Sequence, residues 1–288
     1  MAAIGLALLA APAAAHGGHE HGIGWTLDPL LLVPLGLTLA IFLVGLRRLA
    51  ARASQANGRP GLFLAGWTVL TLALVSPLHA AGERSFTMHM IEHELIMLVA
   101  TLLLAASGVG ATLAWGLPRR LRLAIGSGAT SSLQRLWRRL TEPVTATAIQ
   151  AVVMWAWHAP VLFDRALESD GWHIAQHASF FLSSLLFWWA MLHPRGRHAG
   201  YGVSAACLFI TSLVGGALGA LMSVSQSPWY ADYAAMGVSG IGLDPTTDQQ
   251  LAGLVMWIPG GLVHGIAAIL MFYKWLKASE GADAVALN

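Results

Sequence analysis

Seven apolar runs constrain this chain more than any other feature. They lie near residues 28–48, 60–78, 87–107, 143–159, 172–193, 201–223 and 249–275. A helix crosses the hydrocarbon core with roughly 20 apolar residues. Within lipid, only helices or closed barrels satisfy every backbone amide internally. Runs of this length, separated by short polar loops, predict helices. Composition agrees: 56% of the 288 residues are hydrophobic and 10% charged, where a soluble domain carries about a quarter charged residues. The expectation is an all-α, polytopic membrane protein whose domain, residues 28–277, holds about seven transmembrane helices. The single Cys207 excludes an intramolecular disulfide framework and a multi-cysteine metal site.

The ends and loops carry the orientation. Residues 1–15 are too short to span and resemble a secretory signal, with Ala13-Ala14-Ala15 as the cleavage box. Residues 16–27 read as a His-rich exported tail, and 278–288 as a cytoplasmic tail. Arg47, Arg48, Arg52 and Arg59 follow the first run, and six arginines between Arg119 and Arg139 follow the third. Arg195 and Arg197 follow the fifth, and Lys274 and Lys277 end the seventh, leaving only Arg84 and Arg165 on the other side. The positive-inside rule then places the N-terminus outside and the C-terminus in the cytoplasm. The net charge of +2 reports this orientation. It implies membrane lipid as a partner and no nucleic acid.

Histidines gather at the end with only two arginines. The third run opens Met88-His89-Met90-Ile91-Glu92-His93-Glu94 and reaches Met97. His89 and His93 are four apart, so they share one face of a helix. His173 and His177 repeat the spacing in the fifth run, His158 ends the fourth, and His79 closes the second. Imidazole is the commonest side-chain ligand for copper and other late transition metals. Ionisable groups inside a span are costly and point to function. Two pairs at one depth, with His158 beside them, are therefore candidate metal ligands. A haem site is the alternative.

Other residues are less certain candidates. Met88, Met90 and Met97 carry thioethers that favour Cu(I), although methionine in an apolar helix usually packs. Glu92 and Glu94 lie about 7–11 Å into the third helix at ~1.5 Å per residue. Asp248 is a candidate ligand or support for one, and Thr247 or Asp248 can equally cap the last helix. His16 and His19 in the exported tail can collect metal. His264 lies roughly 22 Å below the start of the seventh run at ~1.5 Å per residue, near the cytoplasmic side and away from the outer cluster.

The motifs occur together and in order. His89-Met90-Ile-Glu-His93 with Met97, Trp157-His158-Ala-Pro160, His173-Ile-Ala-Gln-His177 running into Phe187-Trp188-Trp189, and Asp248-Gln-Gln-Leu-Ala-Gly253 before Trp257-Ile-Pro259-Gly-Gly resemble the multi-span CtaG-like family of cytochrome c oxidase assembly factors, associated with caa-type oxidases. The likeness covers about residues 25–275. Its histidine positions fall on His89, His93, His158, His173 and His177. The chain departs from the family pattern at Ala100-Thr101, Glu92, Glu94 and His264.

The resemblance implies a non-enzymatic assembly factor in the bacterial inner membrane, with copper as Cu(I) held on the periplasmic side. Its partners would be an oxidase subunit or another copper chaperone, and a homo-oligomer is compatible. The residues alone leave open a b-type haem electron carrier or a metal-ion transporter. No nucleophile–base pair or phosphate loop points to an enzyme.

Overall fold

The computed structural model describes residues 24–51, 58–127 and 131–286. Among them are only helices: α1 (Pro29–Ala50), α2 (Pro60–Val75), α3 (Pro77–Gly82), α4 (Phe86–Glu94), a π-helical segment (Leu95–Ala100), α5 (Thr101–Ser107), α6 (Gly110–Gly116), α7 (Arg119–Ser127), α8 (Ser131–Leu140), α9 (Pro143–Trp157), α10 (Pro160–Glu168), α11 (Asp170–Leu192), α12 (Arg197–Val224), α13 (Ala231–Met236) and α14 (Pro245–Ala286). Every apolar run coincides with a helix. The proposed signal peptide and most of the His-rich tail, with His16 and His19, lie outside the described residues.

Local chemistry sets the starts. Pro29, Pro60, Pro77, Pro143, Pro160 and Pro245 each open a helix, where the missing N–H is no loss and the fixed φ is already helical. Asp28 accepts from Leu30 N at 2.8 Å and Glu142 from Thr145 N at 2.7 Å, satisfying amides that no turn can reach. Asp244 caps α14, accepting from the amides of Thr246 and Thr247 and from the Thr247 hydroxyl. Those bonds hold the Asp244 carboxyl below the usual carboxylate range. The capping role expected of Thr247 or Asp248 thus belongs to Asp244, which leaves Asp248 for another task.

Among the described residues, four helices are long and apolar enough to cross a membrane: Pro29–Ala50, Phe86–Ser107, Ala199–Val224 and Pro245–Glu280. α9 and α10 together make a fifth candidate, bent by 70° at the break before Pro160. α2 is apolar but has 16 residues. α11 has 23 residues, with His173, Gln176 and His177 near its start. The surface is that of a bilayer protein: Ile269 is 69% exposed, Val152 68% and Leu262 62%. Burying these side chains in lipid recovers apolar area that water would penalise.

Phe86–Ser107 is the hub. Half of its apolar window is buried inside the protein, against 17% for α1. It packs on α14, α2, α3 and α11. α12 and α14 form the most extensive helix pair, brought close by glycine. A Cβ on Gly219 would lie 2.7 Å from Gly253 O, and one on Gly253 would lie 2.5 Å from Gly219 O. Small residues let helix backbones approach in this way. The π segment follows directly after the His/Glu motif, and here Thr101 N reaches back to Ile96 O. The Met97 carbonyl takes donors from the Thr101 hydroxyl and, at 3.2 Å, from Trp188 Nε1. Insertions of this kind concentrate at functional sites.

Candidate metal centre

The i, i+4 pairs on α4 and α11 meet face to face. His89 and His93 ring centroids are 4.3 Å apart, as are those of His173 and His177. Across the helices His89 stacks on His173 at 5.5 Å, and His93 meets His177 edge-on at 5.1 Å. α3 adds His79, whose ring stacks on His173 at 5.3 Å. Five of the six histidines expected at this end therefore share one cluster.

Two groups within it have metal-ligand spacing. The ligand atoms of His89, His173 and His177 all lie within 4.8 Å of one another, as do those of His79, Glu92 and His177. A metal about 2.0–2.1 Å from each imidazole nitrogen needs only a modest closing of the first group. Nε2 of His89, His173 and His177 is buried without a hydrogen-bond partner, and so are both ring nitrogens of His93. Buried polar atoms are almost always paired. Unpartnered ring nitrogens on residues that also have metal-ligand spacing fit a cation that would complete them.

Surrounding groups set the ring tautomers. The Tyr233 hydroxyl donates to Gly82 O at 2.6 Å and lies 3.3 Å from His89 Nδ1. With its own proton engaged, the hydroxyl oxygen accepts from His89 Nδ1–H, which leaves Nε2 bare for a metal. His79 Nδ1 sits 2.8 Å from Glu92 Oε1. Burial opposes a charge on His79, but Glu92 outweighs it and holds the imidazole above the ordinary histidine value. His177 Nδ1 faces the same oxygen at 3.8 Å.

The remaining candidates are placed differently. His158 caps α9, with Nδ1 donating to Met154 O at 2.7 Å and Nε2 unpartnered. Its ring lies against Phe163 and Phe180, which also touch His89 and His93, so it adjoins the cluster across aromatic rings. Met90 is buried in an apolar core with Phe86, Met154 and Tyr230, so it packs. Met88 is half-buried and belongs to neither ligand group. Met97 faces a deeper cavity, described below.

Asp248 holds the scaffold. Its carboxylate accepts from the Ser85 hydroxyl at 3.0 Å, Phe86 N at 2.8 Å and Thr87 N at 3.2 Å. It thereby caps α4 from α14 and fixes the first turn of the helix that carries His89 and His93. An anion also suits the positive end of a helix.

The sequence reading did not single out Gln176, Tyr233, Phe163 or Phe180. Gln176 is fully buried and both its amide atoms are unpartnered; its place three residues after His173 was the available signal. Tyr233 sits on the six-residue α13, too short to show a period.

The fold and the cluster define an all-helical membrane protein built around a buried polyhistidine centre. A family model for the cytochrome c oxidase caa3 assembly factor (Caa3_CtaG) matches residues 40–278, and the chain belongs to that family. No curated protein and no solved structure matches it.

Proposed function

We propose that this assembly factor carries copper, as Cu(I), and delivers it to the oxidase during assembly. The carrying observation is that ligand atoms of His89, His173 and His177 lie within 4.8 Å of one another and that each of these rings has a buried, unpartnered Nε2. Late transition metals suit imidazole. A monovalent ion with three neutral ligands also brings less charge into a low-dielectric interior than a divalent one, so its desolvation is less costly. His93 and the Glu92–His79 pair offer a second set of donors for ligand exchange. The partners are an oxidase subunit or a further copper chaperone, with membrane lipid around the bundle.

In this reading all seven apolar segments cross the bacterial inner membrane, with the N-terminus outside and the arginine end in the cytoplasm. The histidine end then faces the periplasm, where the tail with His16 and His19 collects metal.

The test is copper per chain after loading detergent-purified protein with Cu(I), against a His89/His173/His177→Ala variant. Near-stoichiometric copper with nitrogen ligation in the wild type, lost in the variant, is the expected result. Equal copper in both proteins, or a Soret band in the protein as isolated, would overturn the reading.

A further inference from the structure

A second polar site lies deeper in the bundle, at the level of the π segment. A cavity of about 40 Å³ is lined by Glu94, Met97, Gln150, Met154, Met256 and His264, among others. At roughly 10–15 Å³ for a water, it has room for an ion. Glu94 Oε2 is buried and has no hydrogen-bond partner. It lies against Gly260, where an added Cβ would be 3.7 Å away. The Gly260 carbonyl accepts from His264 Nδ1 at 2.7 Å, which leaves His264 Nε2 as the nitrogen open to a ligand. His264 is stacked on Trp188 at 5.2 Å, and Trp188 bonds to the Met97 carbonyl. Its level is therefore the middle of Phe86–Ser107, not the cytoplasmic side expected from its place in the seventh run.

No lysine or arginine lines this cavity. The side chains of Gln150, Thr211 and Ser212, which also line it, are engaged with Ser184, Cys207 O and Gly261 O, which leaves as donors one carboxylate, one imidazole nitrogen and three thioethers. Thioether and imidazole together select a soft ion such as Cu(I). One monovalent ion neutralises one carboxylate, whereas a divalent ion would leave a net charge buried. We propose that the cavity is a second cation site, taking a single soft monovalent metal ion between Glu94, His264 and the thioethers of Met97, Met154 and Met256. Naming copper as its natural occupant rests on the copper reading of the histidine cluster; the site itself does not.

The experiment uses the full chain in detergent, loaded with Cu(I) or Ag(I), and reads metal per chain together with X-ray absorption. Both ligand groups in the histidine cluster lack sulfur, so metal–sulfur scattering that disappears in the inner-site variants reports the inner site. Expected are sulfur scattering in the wild type, its persistence in the His89/His173/His177→Ala variant, and its loss in Glu94→Gln and in His264→Phe. The persistent fraction is about half of the wild-type metal if each site holds one ion. Wild-type protein at saturating metal without sulfur scattering would overturn the inner site, with no variant needed. So would sulfur scattering unchanged in both inner-site variants. Loss of nitrogen-bound metal alone would bear only on the histidine cluster.

Discussion

The two ends of the bundle handle polar groups in opposite ways. At the arginine end the charges lie near the surface and satisfy helix C-terminal carbonyls: Arg48 Nη1 donates to Trp115 O and Leu117 O at 2.9 Å, and Arg195 reaches Arg138 O and the Thr141 hydroxyl at 2.6 Å. Orphaned backbone groups and flexible cations serve one another there. At the histidine end the rings are buried and crowded, and Nε2 of His89, His93, His158, His173 and His177 is unpaired. One end is complete in itself. The other keeps buried ring nitrogens that nothing among the described residues satisfies.

The contrast can be broken at several points. Asp248→Ala should have the largest structural effect, because it strands two amides and a hydroxyl at the start of α4. A loss of about 3 kcal/mol is expected, read as lowered thermal stability in detergent, with Asp248→Asn losing less. If Asp248→Ala melts with the wild type, the cross-chain cap is not what holds α4. Tyr233→Phe removes only the hydroxyl that sets the His89 tautomer. Cu(I) affinity should fall about tenfold, as for other outer-shell partners, with little change in stability; unchanged affinity would remove Tyr233 from the site.

Two smaller effects sharpen the comparison. His93→Leu removes two buried, unpaired nitrogens and should stabilise the metal-free protein by about 1 kcal/mol, while slowing release of copper to an acceptor. A destabilised metal-free variant would mean that His93 is paired after all. Arg48→Ala at the other end should cost under about 1 kcal/mol and leave metal binding unchanged. A metal defect there would show that the two ends are coupled.

Much of this was legible in the sequence, for identifiable reasons. Hydrophobic run length and proline position are local signals, and they located the helices, including the stop before Pro160. The i, i+4 histidine pairs are local too, and the fold does bring them together. Convergence across elements is not local. Nothing near residue 248 says that its carboxylate caps a helix starting at residue 86, or that His264 shares a cavity with Glu94. Helical rise misplaced His264 because it measures distance along one helix and not the level of the side chains, Trp188 and Phe187, that its ring meets. The π segment was invisible as well, since Leu95–Ala100 reads like any apolar stretch.

The Asp248 cap has a consequence for the order of events during synthesis. Its carboxylate is translated more than 160 residues after the helix start that it fixes. The histidines of α4 and α11 are inserted early, but the turn presenting His89 is locked only when α14 arrives. The centre is therefore among the last parts of the molecule to form. A chain that stops before α14 carries every histidine of the cluster and still lacks the carboxylate that sets the turn presenting His89.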